Sequence, residues 1–259
     1  MSEKAYGKIT TPERPGKPRE TGITMLIDWG FAPAHQEDLL EMGAEYIDLA
    51  KVAVGISGLL SKEVLKRKLD SYKEHAVRPF PGGQYLEYAV GHDLTRAYLE
   101  ESQAAGYDLI EVSDNTVPFS PEFKRDLIRQ AKEEFGFDIL GETGSKIATT
   151  EVKAMVDDIR NCIEAGAWKV FVEAADLYEG TTLRDDLVNA LKTEIPMKDM
   201  IIELPGWWLS ELGTVKADTI KRLIHTFGPE VNLANIGERE LYFTETLRRK
   251  TGTAGFSEA

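Results

Sequence analysis

The chain has 259 residues, enough for two small domains or for one barrel of the kind that uses about 250. It is 42% hydrophobic and 29% charged, and no apolar run approaches the roughly 18 residues of a membrane helix, so no membrane association is expected. Its 31 basic and 44 acidic residues leave a net charge of −13, which disfavours nucleic acid and anionic membranes as partners. A small anionic substrate remains compatible with that charge, because a local cluster of Lys, Arg or metal overrides the global field.

Residues 1–21 are polar and rich in Pro and Gly, with no apolar h-region. They are expected to form a lead-in rather than a signal peptide, which implies a cytoplasmic protein whose folded unit occupies residues 22–259. Eight short apolar runs follow: ITMLID (23–28), YIDLAKV (46–52), VRPFPGG (77–83), LIEVSD (109–114), DILGETG (138–144), WKVFVEA (168–174), MIIELP (200–205) and VNLANI (231–236). Their starts lie 23 residues apart at first and then 29 to 32 apart, the length of a strand, loop, helix and loop. Helical periodicity fills the gaps. In SPEFKRDLIRQAKEEFGF (120–137), Phe123, Leu127, Ile128, Ala131 and Phe135 share one face, Ser120 and Pro121 suit an N-cap and first turn, and Gly136 supplies a stop. Cys162, the single cysteine, sits at helical spacing in IRNCIEAGA and reads as a buried structural thiol. Apolar strands that each precede a helix imply a parallel sheet, and eight such units most simply close into a (β/α)8 TIM barrel. An open doubly wound sheet is the alternative, disfavoured because no GxGxxG follows the first strand.

In a barrel of this type the site is built where strands end. Asp28 stands at the end of the first run, Asp48 and Lys51 on the second, and Gly82 and Gly83 after the third. Glu111, Ser113 and Asp114 belong to the fourth, Glu142 and Lys146 to the fifth, Glu173 to the sixth, Glu203 to the seventh, and Asn232 and Asn235 to the eighth. So many buried ionisable groups must be paired or bound to metal. Capping of the following helices is the simpler explanation for any one of them, notably Ser113 or Asp114. Glu142, Glu173 and Glu203 close three successive strands and offer oxygen ligands to one hard cation such as Mg²⁺. Lys51 and Lys146 would serve either as fixed positive charges or as a proton donor, and the glycine pair in FPGGQ offers backbone N–H groups to an anion.

KPRETG, LIDWG, YIDLAKV, PGGQYLEYA, IEVSDNTVPFS, ETGSK and above all VNLANI with ETLRR close behind resemble, in order, the phosphosulfolactate synthase family. The resemblance spans nearly all of residues 17–256. It implies a (β/α)8 barrel and a Mg²⁺-dependent addition of sulfite to phosphoenolpyruvate in coenzyme M biosynthesis. By position it implies roles for Lys51, Gly82, Gly83, Glu111, Glu142, Lys146, Glu173, Glu203, Asn232 and Asn235, with Lys146 as general acid. The chain departs from the family's pattern at Trp29, at Ala175, where an arginine is usual after strand six, and at KVAVGIS (51–57), while LPGWWLSE adds Trp207 and Trp208. Those exchanges trade a bidentate anion contact for apolar area, so a related lyase with a less anionic, more hydrophobic substrate is the second expectation. The indoles also suit a packed lid or a subunit contact, and family members and exposed aromatics point to a homo-oligomer. A non-catalytic, chaperone-like role, suggested by plant heat-stress relatives, is the third.

Overall fold

A computed structural model describes residues 4–146 and 149–252. Eight strands fall on the eight apolar runs: β1 (Thr24–Asp28), β2 (Leu49–Val52), β3 (Arg78–Pro81), β4 (Leu109–Val112), β5 (Asp138–Thr143) and β6 (Lys169–Val172), then, after a small antiparallel hairpin of β7 (Tyr178–Glu179) and β8 (Thr182–Leu183), β9 (Met200–Glu203) and β10 (Leu233–Ile236). They form one parallel sheet in the order β3-β2-β1-β10-β9-β6-β5-β4, which rolls up into a nearly closed (β/α)8 TIM barrel.

The place where the barrel is not laced has a cause in the sequence. Within β3 the amides of Arg78 and of the following Gly82 donate to β2, to the carbonyls of Asp48 and Val52. Neighbouring residues of a strand direct their N–H groups to opposite sides, so positions 79 and 81 face β4, and both are proline. β3 and β4 therefore meet without a ladder among the described residues.

The helices α1 (Pro33–Gly43), α2 (Lys62–Glu74), α3 (Gly83–Gly91), α4 (Thr95–Ala105), α5 (Pro121–Glu133), α6 (Val152–Ala165), α7 (Asp185–Glu194), α8 (Lys216–Phe227) and α9 (Glu238–Arg248) surround the sheet. α5 starts as expected: the Ser120 hydroxyl accepts from the Phe123 amide at 3.2 Å, Pro121 stands in the first turn, and Gly136 adopts φ +75° beyond the end. Leu127, Ile128 and Ala131 are buried, whereas Phe123, expected on the same face, is 41% exposed in the first turn, where it packs edge-on against Phe119. Cys162 of α6 is buried and unpaired, and burial pushes its thiol up to about 12, so it behaves as a small hydrophobe. No helix among the described residues is long and apolar enough to cross a membrane.

Side chains that point into the barrel form a separate apolar plug of Met25, Leu49, Phe80, Leu109, Leu140, Phe171 and Ile201, with Phe80 and Phe171 stacked at 5.9 Å. The larger core lies between strands and helices. At the N-terminal end of the barrel the described part of the lead-in is tied down by its cations. Arg14 donates to Glu245 at 2.5 Å, Lys17 to the Ala44 carbonyl at 2.9 Å, and Arg19 to Asp48 and to the Glu45 carbonyl, both at 3.0 Å.

Candidate active site

The residues of the plug determine which charges meet above it. Side chains alternate along a strand, so the residue two places after an inward apolar residue also points inward, one layer nearer the C-terminal end. Leu49 is followed in this way by Lys51, Leu109 by Glu111, Leu140 by Glu142, Phe171 by Glu173 and Ile201 by Glu203. All five of these ionisable residues are buried.

Lys51 is at the centre. Its ammonium donates to Glu111 Oε1 and to Glu203 Oε1, each at 2.8 Å, and lies 4.7 Å from the centre of the Phe171 ring. Burial opposes its charge, but Glu111, Glu203 and Glu142 outweigh that and hold its pKa well above the ordinary lysine value. Glu111 Oε2 accepts from the Gly83 amide at 2.7 Å at the start of α3. A Cβ at Gly82 would lie 2.6 Å from the Val54 amide, and one at Gly83 would collide with the Ser113 hydroxyl, so both glycines are required by close packing. Lys146 lies 3.1 Å from Glu173 Oε2, which also accepts from Asn115 Nδ2 at 3.2 Å, while Glu173 Oε1 accepts from the Ala175 amide at 3.1 Å. Burial disfavours the Lys146 charge as well, and Glu142, Glu173 and Glu203 again raise its pKa.

Four glutamates face two lysines, and the deficit in positive charge is visible in the acids. Burial, reinforced by the neighbouring carboxylates, pushes Glu111 and Glu173 up to about 8 against the opposing pull of the lysines. Burial pushes Glu142 up, but Lys146 and Lys51, together with the Asn115 and Glu173 side chains, outweigh it and displace the group downward. Two oxygens have no hydrogen-bond partner although fully buried, Glu142 Oε1 and Asn115 Oδ1. Carboxylate oxygens of Glu111, Glu142 and Glu203 all come within 4.8 Å of one another. A trio of oxygen donors with an unpartnered buried oxygen and an excess of negative charge fits a hard divalent cation.

The structure gathers Lys51, Gly82, Gly83, Ser113, Glu142, Lys146, Glu173 and Glu203, as expected, but it sorts them differently. Glu173 is engaged by Lys146 and Asn115, and Glu111 takes its place in the converging trio. Ser113 donates to Glu87, not into the centre of the mouth. Three residues lie elsewhere. Asp28 is a correction: Met25 points inward, so Asp28, three residues on, points outward, where it pairs with Lys68 of α2 at 2.7 Å, accepts from Tyr72 at 2.8 Å and caps the Gly30 and Phe31 amides. Asn232 sits one layer below the plug residue Ala234, at the opposite end of the barrel, and bonds Ile23, Met197 and Met200 backbone groups. Asn235, at φ +60°, donates to the Leu204 carbonyl and leaves Oδ1 unpartnered.

Sequence reasoning missed Glu87 and Asn115. Glu87 is fully buried in α3 and accepts from the amides of Asn115, Thr116 and Val117 and from the Ser113 and Thr116 hydroxyls, which sets the loop that carries Asn115. The available signal was a carboxylate beside Leu86, on the apolar side of the short helix. Asp176 does the same for the loop after β5, accepting from the Ser145 amide at 2.6 Å and from the Thr150 amide at 2.8 Å.

The model of the (2R)-phospho-3-sulfolactate synthase (ComA) family matches residues 12–253. The chain belongs to the phosphosulfolactate synthase family. It is an enzyme of the carbon–sulfur lyase or synthase type. It is 35% identical to the phosphosulfolactate synthase of Methanothermobacter thermautotrophicus, covering 92% of this chain and 93% of that protein, and 31% identical to that of Bacillus subtilis, covering 93% and 94%. Among solved structures, phosphonopyruvate hydrolase in complex with oxalate and Mg²⁺ superposes with a TM-score of 0.56 at 13% identity, over 91% of this chain and 85% of that one, a likeness of fold alone.

Proposed function

We propose that the chain adds sulfite to phosphoenolpyruvate with Mg²⁺ bound at the barrel mouth. The observation that carries this reading is the convergence of Glu111, Glu142 and Glu203 beside two lysines, with Glu142 Oε1 left without a partner. The cation would supply charge neutralisation for a carboxylate substrate as it becomes enolate-like. In the bond-making step the sulfur lone pair forms the new bond to the methylene carbon, and the double-bond electrons move toward the carboxylate. Collapse of that charge takes a proton at the adjacent carbon from the opposite face.

Lys146 is the donor in this scheme. Its ammonium form is favoured by Glu142, Glu173 and Glu203, and Glu173 with Asn115 holds it in place. Lys51 keeps Glu111 and Glu203 apart and turned toward the centre, and the Gly83 amide fixes the second oxygen of Glu111. The test is incubation of the protein with phosphoenolpyruvate, sulfite and Mg²⁺. A sulfonated product is expected, and Lys146→Gln should cut its rate by about 100-fold or more while the protein stays folded. Absence of product in the wild-type protein with Mg²⁺ bound overturns the reading.

A second reading is favoured by the three indoles. Trp29, Trp207 and Trp208 pack with ring centres 5.1 to 5.9 Å apart beside a cavity of about 610 Å³ at the ends of β1, β9 and β10. That corner holds phosphate in many barrels. Here Glu240 accepts from the Gly237 amide at 2.7 Å and from Lys216 at 3.2 Å, so a carboxylate of the chain already occupies the donors. A carboxylate substrate with an apolar extension would suit this corner better, and the same assay with such acids in place of phosphoenolpyruvate separates the two.

A further inference from the structure

The connection from β6 to α7, residues 173–184, exceeds the roughly two to six residues usual between a strand and its helix. It forms a 3-10 turn (Ala174–Leu177), then the β7–β8 hairpin, which reverses at Gly180 with φ +62°, and it ends on Arg184 at the start of α7. Tyr178 fastens the hairpin to α8 through the Thr219 hydroxyl, and the Arg184 amide donates to the Leu177 carbonyl at 2.8 Å. A barrel closes without such an excursion. Its effect is to bring Arg184 back to Asp176.

Buried Asp176 holds both feet of the loop that carries Lys146. Its Oδ2 accepts from the Ser145 amide at 2.6 Å and from the Thr150 hydroxyl at 2.7 Å, and its Oδ1 accepts from the Thr150 amide at 2.8 Å. A Cβ at Gly144 would lie 2.7 Å from Glu173 Cβ and 2.9 Å from Asp176 Oδ2, so the loop leaves β5 pressed against this turn. Arg184 ties the two together. Its Nη1 donates to the Thr150 carbonyl at 3.1 Å and to the Asp176 carbonyl at 3.2 Å, and lies 3.8 Å from Asp176 Oδ1.

A lysine on a loop has a long flexible stem, so it meets one face of a substrate carbon reproducibly only if its backbone and its ammonium are both fixed. Glu173, which opens this same turn, fixes the ammonium. We infer that Asp176 and Arg184 are positioning residues that fix the backbone of Lys146, and that the β7–β8 hairpin serves to deliver Arg184 to that task. The inference rests on the reading of Lys146 as the proton donor. Neither residue belongs to the converging carboxylates, so both act through Lys146 and not through the cation.

The test uses the full chain and two readouts. In the sulfite assay Arg184→Met should lower kcat about 10-fold with KM for phosphoenolpyruvate within about 2-fold of wild type, and Arg184→Lys should recover part of the loss. Arg184→Met combined with Lys146→Gln should be no slower than Lys146→Gln alone, because the arginine acts only through the lysine. A further 10-fold or so loss in the double variant, or a raised KM with kcat unchanged, would overturn the inference. The second readout needs no turnover. Lysines are reductively methylated with isotope-labelled formaldehyde, and the Lys146 methyl resonance is identified by its absence from Lys146→Gln. It should lie apart from those of exposed lysines and move toward them in Arg184→Met. Thr150→Val, which deletes only the hydroxyl bonded to Asp176, should move it the same way by less, and serves if Arg184→Met does not fold. A resonance unmoved in the folded variants would overturn the inference. A resonance that moves in a protein yielding no sulfonated product would instead retire the sulfite reaction and leave the positioning of Lys146 standing.

Discussion

The two ends of the barrel are both rich in buried charge, and they use it in opposite ways. At the N-terminal end nearly every buried cation reaches a backbone carbonyl. Arg248 donates to the carbonyls of Pro229, Val231 and Ile23, Lys169 to those of Glu20 and Lys198, and Arg19 to those of Pro15 and Glu45. Such groups seal strand ends and hold the lead-in. At the C-terminal end the charges face one another: Glu111, Glu142, Glu173 and Glu203 crowd round Lys51 and Lys146, two acids are driven up to about 8, and Glu142 and Asn115 keep unpartnered oxygens. Buried cations spent on backbone carbonyls indicate architecture, although Arg14 Nε and Arg248 Nε stay without a partner there. Four buried carboxylates crowded round two lysines, with two of the acids driven up, indicate a place prepared for something else.

Three experiments press on that difference. The largest effect is expected for Lys51→Met, which strips Glu111 and Glu203 of their shared partner. It should cost about 3–5 kcal/mol in denaturant unfolding and abolish turnover, and an unchanged midpoint would show the mouth is less tightly coupled than its distances imply. At the other end, Arg248→Met removes the guanidinium donor from the Pro229 and Val231 carbonyls and a second donor from that of Ile23, which keeps the Leu233 amide. A loss of about 2–4 kcal/mol is expected with kcat retained, whereas a fall in kcat at full folding would erase the division between the ends.

The third and smallest effect concerns pH. Glu173 titrates near 8 in the fold against an ordinary 4.5, so between those values the unfolded chain has released a proton that the folded protein keeps. The folded state binds more protons there, and stability must fall as pH rises. The contribution of the group is complete below about 4.5 and lost as pH passes 8. Unfolding measured from pH 5 to 9 in a chelator should show this decline, and Glu173→Gln, which is neutral throughout, should make it shallower, leaving the part that Glu111 contributes. Identical slopes in the two proteins would place the excess proton elsewhere.

The strands were legible because apolar runs at a constant spacing leave few alternatives, and the mouth was legible wherever a charge followed an apolar inward residue by two. The same parity explains the failure at Asp28: one residue out of phase, it faces α2. Asn232 failed for a different reason, since an inward side chain at the wrong end of a strand cannot be told from one at the right end without the layer count. Glu87 and Asn115 lie on a helix and a loop rather than at a strand end, and their function emerges only from contacts between segments 28 residues apart in the chain. The β7–β8 hairpin and the two-helix connection of α3 and α4 were not anticipated, because a turn inside a helical stretch leaves little mark on its apolar period.

Pro79 and Pro81 have a consequence beyond the missing ladder. A sheet fastened all round distributes strain evenly, whereas one with a single unfastened line resembles a scroll, free to widen there without breaking an interstrand bond. The glycine pair that steadies Glu111 is attached to one lip of that line and Glu111 itself to the other. Any motion that opens the scroll therefore separates the two halves of the same contact, so the lacing of the barrel wall and the alignment of its carboxylates are one variable.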